Sequence, residues 1–294
     1  MKLRLMQALA VAALLFTALA VQAAITCRIS QPSPGFSSAY VPGTPGVNIT
    51  QSSFTVSCQR GAATDGTTVN YSVAADNGLN PTGQNNRAAF GANFVRYDVF
   101  KDSACGTQWR AGGNAFTGLS MTLGAVGVAT SVQTAYWACI PAAQLGLPTG
   151  TYTDTVTMTL TAAGTTIVGA PFTFPVSIFT PSVCTIPPGN APGNIVFTYT
   201  AFGGAQTAST TFGANCTNLL PYTMALDATS GVVNGLNYTL AIRNSTDTAN
   251  VSGATGTGSL QSYIIKGTMP AGQAGTCTSG SCFGSDPRTL TITY

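Results

Sequence analysis

Along most of this chain, apolar and polar residues alternate one for one. Val69-Asn-Tyr71-Ser-Val73, Asp154-Thr-Val156-Thr-Met158-Thr-Leu160, Phe172-Thr-Phe174-Pro-Val176-Ser-Ile178 and Tyr222-Thr-Met224-Ala-Leu226 all keep this period of two. An extended strand sends such residues to opposite faces, so the pattern predicts half-buried β-strands. Clusters of Gly, Pro, Ser and Asn break the runs about every ten residues, as turns do. Beyond residue 23 no stretch combines a 3.6-residue apolar period with capping residues. The eight acidic residues are all aspartate, a turn former, and never glutamate, a helix former. The chain is therefore expected to be all-β, with antiparallel sheets packed face to face.

The pattern also repeats. Cys27 is followed at Phe54-x3-Cys58 and then by Val69 to Val73; Cys184 is followed at Phe212-x3-Cys216 and then by Tyr222 to Leu226. Each copy closes on an aspartate and a threonine-rich strand, Asp154 to Leu160 and Asp286 to Tyr294. Two immunoglobulin-like β-sandwich modules in tandem are expected, residues 24–181 and residues 182–294, with a short, stiff junction at Thr180-Pro181-Ser182.

Residues 1–23 read as a secretory signal peptide, with Lys2 and Arg4 ahead of an apolar run from Leu5 to about Val21 and small residues around Ala23. Export through an oxidising compartment changes the reading of the cysteines. All eight follow the cleavage point, so disulfides are expected. By order and repeat position the pairs are Cys27 with Cys58, Cys105 with Cys139, Cys184 with Cys216, and Cys277 with Cys282. A metal site is not expected, since the chain has no histidine and no paired C-x2-C spacing. Charged residues are 6% of the chain, and without Lys2 and Arg4 it is nearly neutral. So little charge favours association, and the scattered arginines make no nucleic-acid patch.

One difference separates the copies. After its closing strand the first continues into Phe172 to Ile178, whose even-numbered side chains Phe172, Phe174, Val176 and Ile178 share one face. Buried in a groove, they would contribute roughly 6–12 kcal/mol and complete the first module as an in-chain donor strand. The plainer alternative is an ordinary last strand, and Pro175 removes one ladder donor. The second copy stops at Leu290-Thr-Ile292-Thr-Tyr294. It is expected to be incomplete, with this terminal strand flanking an acceptor groove that awaits a donor strand from another polypeptide; the plainer alternative is a complete, smaller sandwich ending at Tyr294. Only Ala24-Ile25-Thr26 precede Cys27 in the exported chain, too few to donate in turn. A subunit that receives but does not give would end a fibre.

Cys184-Thr-Ile, Phe212-x3-Cys216 with Tyr222, and the terminal Thr-Leu-Thr-Ile-Thr-Tyr resemble the spore coat protein U domain family, whose members build archaic, Csu-type chaperone–usher pili. The resemblance covers the exported chain and is closest in the second module. It implies a tip adhesin held by a periplasmic pilus chaperone, assembled at an outer-membrane usher and joined to an adjacent pilin subunit that donates a strand. It also implies a cell-surface position at the pilus tip, attachment to an abiotic or host surface, and biofilm formation. Candidate surface-binding loops are the turn with Phe36, Tyr40 and Val41, and Leu145-Gly-Leu147-Pro148. Phe116, Leu119, Met121 and Leu123 form a third candidate, with a core-strand alternative.

Other functional classes find less support. Without histidine, Ser-His-Asp and Cys-His triads are ruled out, and no aspartate pair has a glycosidase setting, so neither catalysis nor a cofactor is expected. A secreted lectin would use tyrosines with Trp109 and Trp137; against it, both tryptophans lie close in sequence to Cys105 or Cys139. A structural pilin or coat protein of the same family is the remaining alternative.

Overall fold

The computed structural model describes residues 24–30 and 35–294; the leader expected over residues 1–23 lies outside the described residues. Eleven strands make a first module: β1 (Ile25–Ser30), β2 (Phe36–Ala39), β3 (Asn48–Gln59), β4 (Thr68–Ala75), β5 (Asn86–Phe90), β6 (Asn93–Phe100), β7 (Phe116–Thr122), β8 (Ala129–Ile140), β9 (Gly150–Ala162), β10 (Thr165–Ile167) and β11 (Phe172–Thr180). A second follows with β12 (Cys184–Thr185), β13 (Gln206–Cys216), β14 (Pro221–Leu226), β15 (Ser230–Val233), β16 (Leu236–Asn244), β17 (Gly253–Thr255), β18 (Leu260–Met269) and β19 (Leu290–Thr293).

The first module is one curled sheet in the order β10-β1-β3-β8-β6-β5-β9-β11-β2, with β4 pairing β9 and β7. The tight β5–β6 hairpin carries it from one face of the sandwich to the other. Alternation decides what lies inside. Along β9, Tyr152, Asp154, Val156, Met158 and Leu160 are buried while Thr151, Thr153 and Thr159 face solvent. Between the layers Trp109 stacks on Phe54 at 5.1 Å and on Phe174 at 6.4 Å, with Tyr136 at 5.0 Å. Trp109 is fully buried and its Nε1 donates to the Val73 carbonyl at 2.8 Å. It serves this core and offers no face to a sugar. Met121 and Leu123 are buried and Phe116 and Leu119 pack on the same cluster, in line with the core-strand alternative for that segment.

The second module packs β12-β13-β18-β16-β15 against β17-β14-β19. Its apolar cluster shares no residue with the first, and among the described residues it holds as many half-buried apolar side chains as buried ones. All eight cysteines are bonded in the expected pairs. Cys27 and Cys58 are directly opposed on β1 and β3, as are Cys184 and Cys216 on β12 and β13.

The junction is built from backbone and short polar side chains. Asn218 Nδ2 donates to the Gly146 carbonyl at 2.7 Å, and Pro148 bridges Asn218 in parallel. Thr217 Oγ1 accepts from Val183 N at 3.0 Å and lies 3.2 Å from the Pro181 carbonyl; Thr149 Oγ1 donates to the Thr180 carbonyl at 3.0 Å. Gly258 has φ +71°, and a Cβ there would stand 2.8 Å from Gly146 N, so only glycine permits this approach.

Candidate strand-acceptor site

The ladders of the second module match ladders of the first, and the correspondence locates the site. β1 and β3 with their disulfide match β12 and β13; β8, β6, β4 and β9 match β18, β16, β14 and β19. Ladder partners agree as well. Val73 faces Leu160 in the first module and Met224 faces Ile292 in the second. Even the closing aspartate is tied alike: Tyr97 Oη donates to Asp154 Oδ2 at 2.8 Å, and Tyr238 Oη to Asp286 Oδ2 at 2.6 Å.

In the first module β11 lies between β9 and β2. It pairs antiparallel with β9 from Phe172↔Met158 to Thr180↔Gly150, and parallel with β2 from Val176↔Phe36 to Phe179↔Ala39. Phe172, Phe174, Val176 and Ile178 are all buried, from 9% down to 0% exposed. Pro175 stands opposite Thr155 on the outer face. The segment thus closes the module from within the chain.

No strand of the second module takes the corresponding place among the described residues. The stretch of β9 served by β11 corresponds to the residues just before Leu290, and these belong to no ladder. The stretch corresponding to β2 is 194–199, which makes no backbone hydrogen bond among the described residues. Both nevertheless keep their period of two. Ile195, Phe197 and Tyr199 are half-buried on the apolar cluster with Val196 73% exposed between them, and Asp286, Arg288, Leu290 and Ile292 are half-buried in alternation. Tyr294 lies past the end of β19 and is exposed. β19 itself pairs with β14 along one edge. Two strand-like edges thus border the same half-covered core, each with unpaired backbone groups that a further strand would satisfy.

Polar contacts hold this edge in place. Arg288 stands where the first module has buried Val156; its Nε donates to Tyr238 Oη at 2.9 Å and its Nη2 to Asp286 Oδ2 at 2.5 Å. Asp227 accepts from Thr289 N at 3.0 Å and from Ala228 N. These backbone donors hold the Asp227 carboxyl below the usual carboxylate range. The terminal strand is therefore pinned at its start, ahead of any partner.

The candidate surface-binding loops need correction. Phe36 and Tyr40 are 1% exposed and Leu147 6%. Phe36 is the first residue of β2, paired with Val176 of β11, and its ring lies 6.0 Å from that of Tyr97, while Tyr40 Oη accepts from Gln144 N at 2.9 Å. Val41 and Leu145 are exposed but sit together at the pole that meets the second module, where Gly43 N donates to the Gln144 carbonyl and Gly146 bonds Asn218. The far pole carries other loops, 60–67, 123–128 and 162–170. Leu123 N donates to Thr67 O at 2.7 Å and Gly127 N to Arg60 O at 2.9 Å, joining the first two.

The family model for the Spore Coat Protein U domain matches residues 12–159, over the first module rather than the second, where the resemblance was expected to be closest. No curated protein matches the chain. Among solved structures, the chain is similar to the CsuC–CsuE chaperone–tip adhesion subunit pre-assembly complex from archaic chaperone–usher Csu pili of Acinetobacter baumannii. There the identity is 13%, the match covers 90% of this chain and 100% of that one, and the TM-score is 0.39. It is also similar to the CupB6 tip adhesin from Pseudomonas aeruginosa, with 12% identity, 92% and 96% coverage and a TM-score of 0.42.

Proposed function

This chain belongs to the Spore Coat Protein U domain family, and from that premise we propose that it is the tip subunit of a chaperone–usher pilus. The second module accepts a strand, first from a periplasmic chaperone and then, at the outer-membrane usher, from the next pilin. The first module faces outward and attaches the fibre to a surface, promoting biofilm formation. The observation that carries this reading is the contrast between the modules. β11 fills the place between β9 and β2, while the matching edges at 194–199 and β19 have no strand between them among the described residues. β1 is also a ladder strand of the first module, between β10 and β3, and so is already committed there.

Adhesion belongs at the far pole. Its loops are built from small apolar residues, Gly61-Ala-Ala63, Gly124-Ala-Val126-Gly-Val128 and Ala162-Ala-Gly164, and Val126, Val128 and Val168 are 44%, 55% and 42% exposed. The charges there are turned inward: Arg60 donates to the Ala63 and Asp65 carbonyls, and Asp65 accepts from Gly61 N and Ala62 N. Such a surface suits a hydrophobic or abiotic substrate.

Immunogold microscopy of intact cells with antibody to the first module tests the placement. Single particles at the free ends of thin fibres are expected. Label along the shafts would make the chain a structural pilin.

A further inference from the structure

The direction of the ladders says where the body of the donating polypeptide must lie. In the first module β11 runs antiparallel to β9 and leaves at Thr180, and the chain passes at once into the second module. The loop between β8 and β9 stands at that exit and touches the module that follows, through Gly146 and Pro148 on Asn218. In the second module β19 runs from the pole opposite the first module, at Leu290 beside Leu226, towards the junction. A strand laid antiparallel to it would leave at that opposite pole. The loop standing there is the counterpart of the β8–β9 loop, the long connection from β18 to β19.

This loop is built to present apolar surface. The Cys277–Cys282 disulfide staples it. Thr276 N donates to Asn234 O at 2.8 Å and Gln273 N to Tyr199 Oη at 2.9 Å, fixing its base on the β15–β16 turn and the 194–200 segment. Phe283 projects from it 97% exposed. Phe202, 75% exposed, is tied to the same loop by its N–H on the Gln273 carbonyl at 2.8 Å. Two phenylalanines so exposed on a firmly held pole, at the mouth of the two unpaired edges, are continuous with the strand-acceptor site.

We propose that this pole, centred on Phe283 and Phe202, docks the folded body of the polypeptide whose strand fills the second module, as the β8–β9 loop docks the second module itself. The proposal rests on the strand-acceptor reading. Its occupant is the donating pilin subunit, because a strand laid antiparallel to β19 leaves the second module at this pole. The contact would fix the angle between successive subunits, which a strand alone leaves free.

Photocrosslinking on fibres sheared from cells producing the full chain tests it, using two exposed positions, Phe283→benzoylphenylalanine and Val196→benzoylphenylalanine. Adducts with the same second polypeptide from both positions are the expected result. An adduct from position 196 without one from 283 would overturn the docking face and leave the acceptor site standing. Adducts from neither position, or from 283 alone, would remove the acceptor reading and this proposal with it. In addition, Phe283→Ser should lower retention of the chain on sheared fibres in mild denaturant about tenfold; unchanged retention counts against the docking face.

Discussion

Asp154 and Asp286 close their modules in the same way, yet their surroundings differ. Asp154 is 4% exposed and accepts from Tyr97 Oη, from Leu79 N at 2.7 Å and from Thr155 N at 2.8 Å. Burial raises its carboxyl above the usual carboxylate range even though those donors pull it down, and burial also raises Asp98. The sign for stability follows. A carboxyl raised in the folded state binds its proton more tightly there than in the unfolded chain. Its stabilising contribution is complete below the unfolded value and is lost as pH rises through the folded one. Asp102, Asp227 and Asp247, held low by backbone donors or by Lys266, act in the opposite sense and lose their contribution as pH falls. Denaturation midpoints for residues 24–294 and for Asp154→Asn, measured at about pH 7 and about pH 4, are expected to show wild type gaining on the variant at the lower pH. Equal shifts in both proteins would mean that Asp154 is not desolvated.

At the scale of elements, β11 decides whether the first module is closed. Its Phe174 side chain is fully buried against Trp109 and Tyr136, so Phe174→Ala should cost about 3–5 kcal/mol in the first module's unfolding. Thr173, on the outer face, should tolerate alanine with little change. A chain ending near Gly164 is expected to be insoluble and one ending at Thr180 to unfold cooperatively; equal behaviour would deny β11 its closing role. Much of this was legible beforehand. The period of two marks β9, β11 and β19 because each has one face on a core, and the repeated Cys-to-Phe-x3-Cys spacing marks the bridged strand pairs. β2 was not legible. Four residues, Phe-Ser-Ser-Ala, beside a Pro- and Gly-rich stretch read as a turn, and only the parallel pairing with β11 makes them a strand. Phe36 and Tyr40 therefore have the sequence setting of exposed turn residues, although the fold buries both.

At the scale of the molecule, the poles matter most, and a single sequence carries almost no signal for them. Leu145-Gly-Leu147-Pro148 has the composition of an exposed turn whether it faces solvent or a neighbouring module; contact with Asn218 depends on how the two sandwiches are stacked. The far-pole loops carry little signal for a related reason: alanine, glycine and single valines have the composition of ordinary turns, and only the fold brings their loops to one pole. Val126→Ser combined with Val128→Ser is expected to reduce attachment of cells to polystyrene several-fold with fibre number unchanged, whereas Leu145→Ser should leave attachment as it was. The opposite ranking would return adhesion to the junction side. The stacking also has a mechanical side. The first module is joined to the second through the end of β11, and β11 lies along β9 in nine registered pairs. A pull on the first module from its far pole would load those pairs together in shear rather than peel them apart one at a time, so the strand that closes the first module also serves as its tether.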